Sequence, residues 1–273
     1  QPVINIFILL VYCDIYLYIY LYIIMPGCYM DKKFTDFINK KDAKVIFEIG
    51  SRDCLDAIKL HNHYKTKIYS FECNPVCIEI CKKNLATSNI LPSQVELIEK
   101  AIYNENTNVD FYPVVKTAGA KDFKSTDIYK INNEYANIGA SSLFKINNEY
   151  QQIKYKNINH HQQGIQISVP AITLDTFIKE HNIDKVDLIC MDLQGAELMA
   201  LQGMGEHLKN TKYIITELCT TTVKNNMVVE NYKGQGKLTD VFNLLESFGF
   251  QKILGKEHKF SHDNFLFINK TLG

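Results

Sequence analysis

The sequence has no net charge, because thirty Lys and Arg balance thirty Asp and Glu over 273 residues. No overall field favours nucleic acid or an anionic membrane, so nucleic acid is not expected as a partner, although a balanced total is compatible with a local basic patch. The chain also lacks the dense cysteine pattern of a small disulfide-stapled domain. Its eight Cys are scattered through segments that read as strands and helices, which points to reduced thiols and a cytoplasmic location. No metal site is expected. Cys73, Cys77 and Cys81 are spaced by four, but a fourth ligand is missing and Pro75 falls inside the run, so they read as buried thiols. The length allows one sizeable core or at most two small ones.

Pro2 to Ile24 is apolar and tyrosine-rich, broken only by Asn5 and Asp14, and reaches the roughly 20 residues of a membrane-spanning helix. No basic residue precedes it, the chain begins with Gln1, and Ile15 to Ile24 is a monotonous Tyr/Ile/Leu alternation. Residues 1–30 are therefore expected to be a leader outside the folded domain of residues 31–273. The leader reads as translated A/T-rich upstream sequence, with Met25 or Met30 as the start. The alternative is an anchor through residues 2–24, with Lys32 and Lys33 on the cytoplasmic side, and only then is a membrane a partner.

From Lys44 onward strands alternate with helices. Val45–Ile49, Lys67–Phe71, Val95–Ile98, Val186–Met191, Tyr213–Thr216 and Phe265–Ile268 read as buried strands. Cys54–His61, Pro75–Ala86, Ala196–Leu208 and Leu238–Phe248 read as helices, with Asp53 available to cap the first. This alternation implies right-handed crossovers and a mostly parallel sheet. An irregular stretch, about residues 117–164, interrupts it. The stretch contains Lys-Ile-Asn-Asn-Glu-Tyr twice, at Lys130–Tyr135 and Lys145–Tyr150. Two copies are too few for a solenoid and read as a local duplication in an insertion, either a lid over a substrate or a floppy surface loop.

In a parallel sheet, ligands bind outside the carboxyl ends of the strands where the strand order reverses. The first strand runs into Glu48-Ile49-Gly50-Ser51-Arg52-Asp53, where Gly50 permits a sharp turn and a close ligand. The second and third glycines of the dinucleotide fingerprint are absent, which disfavours a pyrophosphate cofactor. Glu72 closes the second strand, where a carboxylate accepts hydrogen bonds from a ribose. A solvated acid at a helix start is the competing reading.

The motifs, taken in order, resemble the FkbM-type methyltransferases over most of Val45 to Asn269. The resemblance rests on Phe47 to Asp53, Tyr69-Ser70-Phe71-Glu72-Cys73-Asn74-Pro75, Ala101, Ser141-Ser142-Leu143 and Ile172-Thr173-Leu174-Asp175. It continues through Met191-Asp192-Leu193-Gln194-Gly195-Ala196-Glu197, Leu201-Gln202-Gly203, Glu217, Tyr232-Lys233-Gly234-Gln235 and Asn264-Phe265-Leu266. It implies an α/β class I methyltransferase fold, Rossmann-like, with seven strands, mostly parallel, and an antiparallel last strand. It also implies S-adenosylmethionine as cofactor, with Gly50 under its methionine part and Glu48, Ser51 and Asp53 around the same turn. Glu72 would hold the ribose, Asn74 and Ala101 would border the adenine, and Asp192 would lie near the amino group and the transferring methyl. The family more often has Lys, Asp and Glu where this chain has Cys190, Asp192 and Gln194, so it resembles a Gln-containing subgroup. Glu48 replaces a commoner Asp.

Methyl transfer to a hydroxyl gains from a general base, and Asp192 and Glu217, each ending a strand, are the candidates. Structural roles in capping and loop bonding compete for both. His160 and His161 read as solvated. The expected acceptor is a small molecule or glycan, such as a sugar hydroxyl. A non-catalytic nucleoside-binding protein of the same fold and an NAD-dependent Rossmann enzyme are the alternatives. A chain starting at Met25 is expected to be soluble and active, checked by expression and methyl-transfer assay.

Overall fold

A computed structural model describes residues 28–120, 128–131, 133–155, 160–219, 222–224, 227–256 and 262–273. The leader of residues 1–30 falls almost wholly outside them. Seven strands form the central sheet: β1 (Val45–Ile49), β2 (Lys67–Phe71), β3 (Val95–Ile98), β4 (Leu188–Met191), β5 (Tyr213–Cys219), β6 (Phe250–Leu254) and β7 (His262–Asn269). Their spatial order is β6-β7-β5-β4-β1-β2-β3. The pairs within β3-β2-β1-β4-β5 are parallel, whereas β7 runs antiparallel to both β5 and β6. The fold is the expected α/β class I methyltransferase arrangement, with an antiparallel last strand.

Two cores sandwich the sheet, and the period-2 alternation of each strand divides its side chains between them. Phe47, Ile49, Phe71, Ile189, Met191 and Ile214 face one core. It is covered by α4 (Leu174–Glu180), α5 (Glu197–Gln202) and α6 (Leu238–Ser247). Ile46, Ile68, Leu188, Cys190 and Ile215 face the other, covered by α1 (Leu55–Tyr64) and α2 (Pro75–Thr87). Cys77 and Cys81 are buried thiols on α2, and Cys73 is half-buried just before it. Among the described residues, no helix is long and apolar enough to cross a membrane.

Three elements depart from the sequence reading. The helix expected over Ala196–Leu208 stops at Gln202 and continues as a 3₁₀ segment, Gly205–Asn210. Strand β6 and helix α4 were not anticipated. Strand β6 sits at the sheet edge with Gln251 and Lys252 exposed, so it shows little apolar pattern. Helix α4 is too short to display a helical period, yet Thr173 caps it by accepting from Thr176 N at 3.0 Å. Its Phe177 packs edge-on against Phe47 and Phe71, with ring centroids 5.7 and 4.8 Å away.

The described parts of the insertion form regular elements, and a small sheet flanks it. A small three-stranded sheet joins Ala101–Ile102, Thr107–Phe111 and Ile167–Ile172. Val114–Thr117 pairs with His161–Gln163, Ile128–Ile131 forms a hairpin with Glu134–Asn137, and α3 (Asn148–Lys154) follows. A third core, including Val114, Ala136, Ile138, Ile146 and Tyr232, fastens these pieces to Cys77 and Ile80 of α2. The duplicated hexapeptide takes two conformations. In the first copy Ile131 pairs with Glu134 across a hairpin and Asn133 is left-handed, φ +67°. In the second copy Asn147 caps α3, its Oδ1 accepting from Glu149 N at 3.1 Å.

The strand order reverses between β1 and β4, and Gly50 makes that junction. Its φ is +85°, and a Cβ there would lie 2.0 Å from the carbonyl oxygen of Asp192. Gly50→Ala is expected to cost at least 1–3 kcal/mol, roughly the penalty of the backbone conformation alone. The displaced Asp192 adds to that. Urea unfolding of the variant checks the value.

Candidate functional site

Beyond the carboxyl ends of β1, β2 and β4 lies a cavity of about 870 Å³. All eight residues expected around a cofactor line it: Glu48, Gly50, Ser51, Asp53, Glu72, Asn74, Ala101 and Asp192. The turn after β1 is unusual in its backbone. Arg52 and Cys54 adopt φ of +52° and +59°, which for non-glycine residues requires support from their surroundings. Glu72 supplies part of it. Its Oε2 accepts from Arg52 N, and its Oε1 from both Cys73 N and Asn74 N, each at 2.7 Å. Asp53 holds the start of α1, where its Oδ1 accepts from Leu55 N at 3.1 Å. Its Oδ2 takes Arg52 Nη2 and the Tyr129 hydroxyl, both at 3.0 Å, so the insertion hairpin is tied to the turn.

Glu217 lines a second cavity, of about 820 Å³. Arg52, Gly139, Asp192 and Gln194 line both cavities, which therefore adjoin. The second is walled by the insertion, through Tyr150, Lys154 and His161 among others. Gln194, at φ +51°, bridges the acids: its Nε2 donates to Asp192 Oδ1 at 2.7 Å and to Glu217 Oε2 at 3.3 Å. Gln194 Oε1 faces the Tyr232 hydroxyl at 2.7 Å, and its backbone oxygen accepts from Ser142 Oγ at 2.8 Å. On the other side of Glu217, His262 Nε2 lies 3.1 Å from Oε1.

Burial governs the charges. It pushes Glu217 well above the usual carboxylate range, and the neighbouring Asp192 pushes it further. Burial raises Glu48 to about 8, although the hydroxyls of Ser51 and Ser70 both contact its Oε2 and oppose the shift. Glu197 rises to about 7, again through burial, while its carboxyl accepts from Leu193 N at 2.8 Å and Gly195 N at 3.0 Å. Burial also lowers His161, to about 4. Glu48 apart, which burial keeps mostly protonated at neutral pH, the first cavity is lined by four acids, Asp53, Asp56, Glu72 and Asp192, against Arg52 and Lys100. Such a lining suits a ligand that carries positive charge and hydroxyl donors, and it repels a pyrophosphate.

The sequence matches the FkbM methyltransferase domain over residues 47–252. This chain belongs to that family. It is an S-adenosylmethionine-dependent methyltransferase. The 2-O-methyltransferase NoeI of Sinorhizobium fredii (strain NBRC 101917 / NGR234) is 29% identical over 219 residues, covering 80% of this chain and 76% of that protein. The solved FkbM methyltransferase of Methylobacillus flagellatus KT aligns with 83% of this chain at 12% identity and a TM-score of 0.45. This chain spans 44% of its length. The precorrin-6y C5,15-methyltransferase of Geobacter metallireducens GS-15 aligns with 89% of this chain and 91% of its own, at 10% identity and a TM-score of 0.41.

Several residues of this FkbM site carry no strong sequence signal. Tyr232 and Ser142 lie in motifs noted in the sequence, but nothing there pairs them with Gln194. Lys154 and Tyr150 sit in the duplicated hexapeptide region and look like surface residues. Glu197 reads as an ordinary first-turn residue of the helix expected from Ala196, and its backward reach to Leu193 N depends on the tight turn at Gly195, φ +106°.

The raised Glu48 and Glu197 set a pH dependence of stability. The folded state retains protons that the unfolded chain releases above about 4.5, so stability falls as pH rises from there toward 8. Glu48→Gln is expected to flatten that slope, by up to roughly 1.4 kcal/mol per pH unit over the interval. Urea unfolding between pH 5 and 9 measures it.

Proposed function

We propose that this enzyme O-methylates a hydroxyl of a sugar-like acceptor held in the second cavity, with Asp192 as the proton acceptor. The observation that carries this reading is that Asp192 lines both cavities and is joined to Glu217 through one amide. A base placed at the junction meets an acceptor hydroxyl where it faces the methyl group. The relative named a 2-O-methyltransferase points the same way.

Bound S-adenosylmethionine supplies an electrophilic methyl on a sulfonium whose departure needs no proton. The protein's work is then to hold the cofactor, orient the acceptor, exclude water and accept one proton from the acceptor hydroxyl. Glu72 Oε2 takes a single backbone N–H, from Arg52, which leaves it able to accept from a ribose hydroxyl. Asn74 and Ala101 border the adenine end, and Gly50 leaves room for the methionine end. Glu48, Ser51 and Asp53 shape the turn beneath. Glu217, its carboxyl raised and its neighbour His262 lowered by burial, positions Asp192 rather than acting first. The insertion, about residues 117–164, serves as the acceptor-side wall and lid.

Glu72→Ala is expected to weaken S-adenosylmethionine binding by roughly 10–100-fold, the worth of hydrogen bonds to a charged group, measured by calorimetry. Asp192→Asn is expected to lower kcat by about 10²–10⁴-fold, with cofactor affinity changed far less, in single-turnover methyl transfer. Full kcat in that variant would remove the base assignment. Glu217→Gln is expected to lose less, since an amide still donates to Asp192.

A further inference from the structure

Among the described residues, the hydroxyls of Tyr64 and Tyr150 are buried with no hydrogen-bond partner. They are not alike. Tyr64 ends α1 inside the core beneath the sheet and lines no cavity that holds the site's acids. Tyr150 is 6% exposed and lines the second cavity with Asp192 and Glu217. A buried hydroxyl left unpaired is costly, and phenylalanine would fill the same volume without that cost. The cost is recovered when a ligand brings an oxygen to the phenol.

The helix carrying Tyr150 is anchored, so the hydroxyl has little freedom to swing away. Gln151 grips the neighbouring strand at both ends of its amide, accepting from His161 N at 2.7 Å and donating to His161 O at 3.1 Å. Ile146 seats the start of the helix in the third core. One turn along, Lys154 Nζ lies 5.3 Å from the centre of the Tyr150 ring and lines the same cavity.

Resting on the reading of this cavity as the acceptor site, we propose that the Tyr150 hydroxyl hydrogen-bonds an acceptor oxygen other than the one methylated. Tyr150 is then the residue by which the enzyme selects acceptors carrying a second oxygen near the reacting hydroxyl. A site built to bond an oxygen discriminates strongly against an analogue lacking it, because the buried donor is left unpaired in the complex.

The test compares wild type with Tyr150→Phe in radiolabelled methyl transfer. The probes are methyl glycosides of glucose, galactose and mannose, set against the monohydric alcohols cyclohexanol and benzyl alcohol. Wild type is expected to methylate at least one glycoside and neither alcohol. Tyr150→Phe is expected to lose about tenfold or more in kcat/KM on that glycoside, mostly through KM. Its affinity for S-adenosylmethionine should be unchanged, and its melting temperature equal to or above that of wild type. A purely structural hydroxyl gives the reverse, a lower melting temperature. That result overturns the proposal, as does activity within twofold of wild type, and in either case the sugar-hydroxyl reading of the site still stands. Transfer to the alcohols as fast as to glycosides also overturns it. Transfer to no glycoside at all overturns both readings together.

Discussion

The side-chain amide of Gln194 holds the centre of this site together. Asp192 follows β4 and Glu217 lies in β5, each just past the last residues paired between the two strands, Met191 and Thr216, and a charge on Asp192 disfavours one on Glu217. One N–H of the amide serves each acid, and the carbonyl end meets the phenol of Tyr232. Both N–H groups of the amide and one lone pair of its oxygen are thereby used in a direction that suits them. A glutamate at 194 would set a third carboxylate between two others.

The backbone is arranged to deliver that amide. Gln194 is left-handed, Gly195 follows at φ +106°, and Glu197 folds back to satisfy the N–H groups of Leu193 and Gly195. Ser142 of the insertion grips the carbonyl of Gln194 from above. On the adjacent strand the turn after β1 has the same character, with Arg52 and Cys54 left-handed and Glu72 holding the Arg52 amide. Left-handed non-glycine residues thus occur at both turns that face each other across the reversal of strand order.

Much of this was legible in the sequence, for physical reasons. Strands β1, β2 and β4 are buried on both faces, so they appear as unbroken apolar runs, and the acids and glycine that follow them stand out. The eight residues expected around the cofactor line one cavity because strand ends in a parallel sheet converge whatever lies between them. Glu217 was expected to end a strand, but the strand runs on to Cys219, and its coupling to Asp192 required knowing that β4 and β5 are neighbours. The wall of the second cavity was not legible. Its helix is seven residues long, its strands are short and half exposed, and its cohesion comes from a third core assembled from Cys77, Ile138 and Tyr232, which are far apart in the chain. No local period announces such a core.

The twin hexapeptides show what duplication does to a segment of chain. Both isoleucines rest on the third core, yet Tyr135 stands 40% exposed on the hairpin while Tyr150 is enclosed. The fourth letter sits at a left-handed turn in one copy and opens a helix in the other. Glycine would suit the former and weaken the latter. Identical letters therefore answer to different neighbours, and each copy is free to drift along its own path. An antibody raised against the linear hexapeptide would meet two unlike shapes on one folded molecule.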